Sequence, residues 1–76
     1  MSDDAVYLTT APNEPLAIFW RELLAEAEIP ALVRPGGAGF GGWGSAALMP
    51  HDLYVRQSDL ARAQEIVAAD EGEGEG

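Results

Sequence analysis

The sequence predicts an α+β fold, because segments of alternating apolar and polar residues and segments of helical periodicity share one short chain of 76 residues. The glycines support this division, since they lie outside every periodic apolar segment. Glycine inside a helix costs about 1 kcal/mol relative to alanine, so the two glycine clusters mark a mid-chain loop and a frayed end. They are Gly36, Gly37, Gly39, Gly41, Gly42 and Gly44, followed by Gly72, Gly74 and Gly76.

The first strand is predicted over residues 4–10. Val6 and Leu8 alternate there with Tyr7 and Thr9, the period-2 pattern of a strand with one buried face.

The first helix is predicted over residues 13–27, because apolar residues recur at helical spacing for nearly four turns. They are Leu16, Phe19, Trp20, Leu23, Leu24 and Ala27. Asn13 is a suitable N-cap, and Pro30 forces the chain into an extended segment after the helix.

Two further strands and a second helix complete the pattern. The second strand is predicted over 31–34 and the third over 48–56, with Leu53 and Val55 on one face of the third strand. A helix then begins near Ser58. Its apolar stripe consists of Leu60, Ala63, Ile66 and Val67.

The element order is therefore βαββα. A right-handed crossover makes the first two strands parallel, and the third runs antiparallel between them, which gives a three-stranded sheet of order 1-3-2 with both helices on one face. This is a ferredoxin-like fold without its fourth strand. We expect one domain over 1–69 with a long Gly-rich loop at 35–45, and a disordered acidic tail over 70–76.

Composition limits the classes of partner. Thirteen acidic residues face four arginines, for a net charge of −9, and the body before the tail still has nine acids. Such a surface repels phosphate backbones and anionic lipids, so we expect neither a nucleic-acid nor a membrane partner. The absence of cysteine and of a basic, apolar start favours a cytoplasmic location.

Several segments resemble a known family. They are Val6-Tyr7, Asn13-Glu14-Pro15-Leu16-Ala17, the run from Leu23 to Ala31, and Leu53-x-Val55 followed by Asp59-Leu60-Ala61-Arg62-Ala63. Over residues 5–69 the chain resembles the small bacterial signal-transducing proteins of unknown function with a PII-like fold. Members often have glycine where this chain has Glu28. In PII-like proteins the loop between strands two and three contacts partners, and 35–45 fills that position here.

The chemical motifs are weak. Two G-x-G-x-x-G spacings, at 37–42 and 39–44, precede a strand rather than the helix that a dinucleotide site needs. His51 is the only histidine and no nucleophile motif accompanies it, so an ordinary strand-start histidine is the simpler interpretation. One histidine and no cysteine cannot close a zinc site. We predict no catalytic residue, no cofactor and no metal.

Two surfaces are candidates for binding. If Val6 and Leu53 face the helices, Tyr7, Leu32 and Tyr54 point to the open sheet face. Two aromatics on central strands are also typical of RNA-binding sheets, but the acidic balance argues against RNA. The second surface is the Gly-rich loop, with Arg34, Phe40 and Trp43 as partner-binding residues; the two loop aromatics could instead cover the domain's own sheet.

These surfaces favour a non-catalytic interaction or signalling module that binds a protein partner or a second copy of itself, with a small effector as a further option. The alternative is a small-molecule-binding or weakly catalytic domain. It would use a polar cluster of Thr9, Thr10, Arg34 and His51 beside the loop.

Overall fold

The computed structural model describes residues 3–36 and 48–73 and has the predicted β-α-β-β-α order. Its elements are strand β1 (Ala5–Ala11), helix α1 (Glu14–Glu26), strand β2 (Ala31–Pro35), strand β3 (His51–Arg56), a 3₁₀ turn (Gln57–Asp59) and helix α2 (Leu60–Glu73).

The sheet has the order β1-β3-β2, and both outer strands run antiparallel to β3. The predicted α+β, ferredoxin-like arrangement is therefore confirmed. Both helices pack on one face of this sheet, over a single apolar interior. The buried apolar residues are Leu8, Ala11, Ala17, Trp20, Leu24, Ile29, Leu53, Val55, Ala63 and Val67.

Helix α1 begins as the sequence predicts. Asn13 has extended backbone angles, and its Oδ1 accepts the Leu16 backbone N–H at 2.9 Å. This bond satisfies one of the N–H groups that a helix start leaves unpaired, and Pro15 in the first turn has no N–H to lose.

Helix α1 ends in a Schellman motif closed by a residue other than glycine. Glu28 has a φ of 66°, its N–H donates to the Ala25 carbonyl, and the Ile29 N–H donates to the Leu24 carbonyl, both at 2.9 Å. The left-handed conformation is costly for a residue with a Cβ. Burial of Ile29 against Leu24 compensates, because these are the two apolar positions that the motif brings together.

The predicted apolar stripe of α1 is wrong at Phe19, whose side chain is 51% exposed. The buried ridge of the helix is Ala17, Trp20 and Leu24. Phe19 lies about 100° around the helix from Trp20, so burying the larger indole turns the phenyl ring to the outer surface.

Helix α2 is longer than the sequence predicts. It continues to Glu73, so the expected disorder from residue 70 onward is wrong for residues 70–73. The Trp20 indole N–H donates to Asp70 Oδ2 at 2.9 Å, which attaches this turn to α1. Residues 74–76 of the predicted tail lie outside the described residues.

The N-terminal segment is attached to the start of α2. Asp3 accepts the Ser58 amide N–H at 3.1 Å and the Ser58 hydroxyl at 2.6 Å, and the Gln57 N–H donates to the Asp4 carbonyl. The hydrogen bonds from the Ser58 hydroxyl and amide lower the pKa of Asp3 below its usual value.

Neither helix in the described part of the chain is long and apolar enough to cross a lipid bilayer.

Candidate functional site

The candidate site is the sheet face that points away from the helices, here called the open face. Strand register assigns its residues to three rows that run across the sheet. They are Ala5 and Arg56 in the first row, Tyr7, Tyr54 and Leu32 in the second, and Thr10, Asp52 and Arg34 in the third.

The second row is the apolar part of the open face. Tyr7 and Leu32 are 54% and 57% exposed, and Tyr54 is half-buried between them. The two tyrosine rings meet edge to face, with centroids 6.0 Å apart and an interplanar angle of 76°. The sequence predicts this row, because each of its members alternates with core residues on its own strand.

A β-bulge in β1 changes which residues join the face. The register shifts between Tyr7 and Thr9, where the buried Leu8 is the extra residue. Beyond the bulge, Thr10 pairs with Asp52 on the open face and Ala11 is buried. Strict alternation would have turned Thr10 toward the helices, so the sequence pattern misplaces it.

The bulge creates a hydrogen-bond chain on the open face. Thr10 Oγ1 donates to Asp52 Oδ1 at 2.7 Å, and the Tyr7 hydroxyl lies 2.7 Å from the same Oγ1. Because the threonine proton goes to the carboxylate, the tyrosine hydroxyl donates to Thr10. The chain fixes the Asp52 carboxylate and the Tyr7 ring together. Sequence reasoning missed it, since no glycine or proline marks the bulge.

Gly36 leaves room for that carboxylate. A Cβ at this position would lie 2.8 Å from Asp52 Oδ1 and 2.9 Å from Oδ2. The Gly36 N–H donates to the Pro50 carbonyl, so β2 and β3 stay together at this end of the sheet.

A small cavity of about 140 Å³ opens at the other end, where β2 begins. Pro30, Leu32 and Tyr54 form much of its apolar wall, and Arg56 lies at its rim. Arg56 Nε donates to Asp59 Oδ2 at 2.8 Å, a contact that uses only one of the three guanidinium nitrogens. A cavity of this size is suited to one apolar side chain of a partner.

The predicted polar cluster of Thr9, Thr10, Arg34 and His51 does not form. Thr10 and Arg34 belong to the open face. Thr9 lines a cleft under α2 with Gln64 and other residues of that helix. Thr10 and Arg34 therefore lie on one side of the sheet, and Thr9 and the buried His51 lie on the other. The bulge in β1 separates Thr9 from Thr10, and the alternation of β3 separates His51 from Asp52.

His51 is a buried structural residue. It is 3% exposed, its Nδ1 lies 2.7 Å from the Met49 carbonyl, and its Nε2 lies 4.0 Å from Glu14 Oε2. A carbonyl can only accept, so Nδ1 carries a proton and donates it. The ring is thereby fixed beneath the start of α1.

Of the three predicted residues of the partner-binding loop, the structure describes only Arg34. Arg34 lies in β2, beside Asp52 in register. Phe40 and Trp43 lie outside the described residues, so the loop prediction stays a prediction. Among the residues that are described, no three His, Asp or Glu side chains are grouped to hold a metal ion.

Comparison of the chain with protein-family models, curated proteins and solved structures gave no match.

Proposed function

We propose that this chain is a cytoplasmic, non-catalytic protein-interaction module that recognises its partner with the open face. The observation that carries the proposal is the second row, in which three apolar side chains lie side by side across three strands while two of them stay more than half exposed. A contiguous apolar patch surrounded by polar groups is typical of a protein-binding surface.

The polar groups around this row suit a protein better than a nucleic acid. Arg34 and Arg56 are the two arginines of the face. Asp52 pairs with Arg34 in the third row and lies on the same strand as Arg56. Balanced charges at the rim and aromatics at the centre favour a folded protein surface. The chain as a whole, at −9, repels polyanions.

The family resemblance adds a signalling role to this proposal, and the segment at 35–45 would be a second contact region. Arg34 connects the two, since it lies on the open face close to where that segment begins.

The experiment is affinity capture from the native cytoplasm with a tagged chain and two matched variants. Leu32→Asp places a charge in the second row, and Phe19→Asp introduces the same charged residue at an apolar position of similar exposure on α1. We expect Leu32→Asp to reduce the captured protein at least about tenfold, because a desolvated charge opposes burial of the patch. Phe19→Asp should capture as the wild type does.

Equal capture by all three chains, or loss only with Phe19→Asp, would contradict the proposal. Circular dichroism and the urea midpoint establish that both variants fold. An edge strand tolerates a charged residue, so Leu32→Asp is expected to keep the sheet intact.

A further inference from the structure

We propose that the partner of the open face is a second copy of this chain, packed sheet against sheet about a two-fold axis that runs along the second row. This inference rests on the proposed function and names the partner of that same face. It is carried by the distribution of charge on the face and on β3 in particular.

The open face is the nearly neutral side of a strongly acidic molecule. Of its three rows, the first holds Arg56, the third holds Arg34 and Asp52, and the second holds no charged residue. The described acids on and beside the helices far outnumber the arginines there. These acids are Glu14, Glu22, Glu26, Glu28, Asp59, Glu65, Asp70 and Glu71, against Arg21 and Arg62. Two copies that approach through their helices repel one another, whereas two open faces do not.

The charges of β3 on this face are self-complementary. Asp52, Tyr54 and Arg56 follow one another along the face, with the tyrosine at the centre and opposite charges two residues to either side. A two-fold axis along the second row places Tyr54 over Tyr54 of the second copy. It also places Asp52 over Arg56 of the second copy, and Arg56 over its Asp52.

The same charges reject the other two-fold arrangement. An axis along β3 would place Asp52 over Asp52 of the second copy and Arg56 over its Arg56, so both contacts would be repulsive pairs of like charge. Packed sheets lie about 10 Å apart and are rotated by roughly 30°, a distance and an offset that an arginine side chain can span.

Both charged groups keep atoms free for this contact. The hydrogen bond from Thr10 occupies Asp52 Oδ1, so Asp52 Oδ2 remains for a contact with the second copy. The hydrogen bond to Asp59 occupies Arg56 Nε, so the terminal guanidinium nitrogens remain for the same purpose. The Arg56 side chain is 48% exposed, so it can reach across without first leaving a buried site.

The area of the face sets the strength of the dimer. Three strands at a spacing of about 4.8 Å and a length of about 20 Å give roughly 300 Å² per copy, or about 600 Å² for both. Stable interfaces bury about 1,200–2,000 Å², so this dimer is weak and reversible. It should be visible at protein concentrations from about 10 μM to about 1 mM.

A charge-swap experiment tests the arrangement by sedimentation equilibrium of the purified full chain. Asp52→Arg alone and Arg56→Asp alone each place like charges opposite one another twice, and each should raise the dimer Kd at least about tenfold. An equimolar mixture of the two variants pairs Arg with Asp at both contacts, so the mixture should form a heterodimer with a Kd near that of the wild type.

Glu65→Arg and Arg62→Asp are the matched controls, since they make the same charge changes on α2. Each control should self-associate as the wild type does. If Asp52→Arg does not fold, Asp52→Asn replaces it, and Arg56→Asp should then bind Asp52→Asn more tightly than it binds itself.

A wild-type chain that stays monomeric at about 1 mM would overturn the dimer, as would single variants that associate like the wild type or a mixture that does not associate. The proposed function fails separately. If the pure chain is monomeric but Leu32→Asp still abolishes capture, the face binds a different protein.

Discussion

The Trp20 indole N–H donates to Asp70 Oδ2 at 2.9 Å, across fifty residues of sequence. Trp20 is 2% exposed, and Asp70 is the acceptor for its indole N–H in the folded chain. The bond explains why the described part of the chain stays helical into the acidic C-terminal segment. A carboxylate near a helix C-terminus is unfavourable to the helix dipole, and the bond to Trp20 offsets that cost.

Asp70→Ala is therefore expected to destabilise the protein by about 1–3 kcal/mol, because it leaves a buried donor without an acceptor. The urea midpoint measures the effect. Asp70→Asn keeps an acceptor oxygen and should lose less stability than Asp70→Ala. Glu71→Ala removes the neighbouring charge and serves as the control. If Asp70→Ala and Glu71→Ala have equal stability, the bond does not stabilise the fold.

Glu28→Gly should stabilise the protein by about 1 kcal/mol, since glycine adopts a φ of 66° without a Cβ penalty. The matched control is Glu26→Gly, two residues earlier in α1, which should lose about 1 kcal/mol because its backbone is helical. Urea denaturation compares the three chains. A loss of stability in Glu28→Gly would show that the Glu28 side chain itself stabilises the motif.

Asp3 makes stability depend on pH in the acid range. The Ser58 hydroxyl and amide lower its pKa below the usual 3.8, so the folded state releases this proton more readily than the unfolded chain does. The stabilisation is present above the unfolded pKa, near 4, and is lost as pH falls through the lower folded pKa.

The NMR titration of the Asp3 carboxyl checks this prediction. The pKa should lie below 3.8 in the wild type and move back toward it in Ser58→Ala, which removes the hydroxyl donor. The stability difference between wild type and Asp3→Asn should be largest near neutral pH and should vanish in strong acid. An unchanged pKa in Ser58→Ala would contradict the assignment.

Gly36→Ala should displace the Asp52 carboxylate, because a Cβ would lie 2.8 Å from its Oδ1. The carboxylate can move, but it then loses the Thr10 hydrogen bond, at a cost of about 1 kcal/mol. In an Asp52→Ala background the same change should cost nothing, because the clash and the bond are both absent. A double-mutant cycle measures this coupling, and additive effects would contradict it.

Sequence reasoning succeeded where a residue's role depends on neighbours along the chain. Alternation on β3 predicts that Tyr54 faces away from Leu53 and Val55, and the Asn13 cap predicts where α1 begins. Sequence reasoning was incomplete at the candidate site, where it missed the β-bulge in β1. Leu8 looks like any other inward-facing residue of β1, yet it is the bulge that moves Thr10 beside Asp52.

What the sequence determined by itself is the set of elements, their order and the apolar row of Tyr7, Tyr54 and Leu32, because these follow from the periodicity of apolar residues along the chain. Only the tertiary structure decided the Thr10–Asp52 contact, the burial of His51 and the attachment of Asp70 to Trp20. Each of these joins residues far apart in the chain. Their pairing depends on strand register and helix packing, which local patterns do not specify.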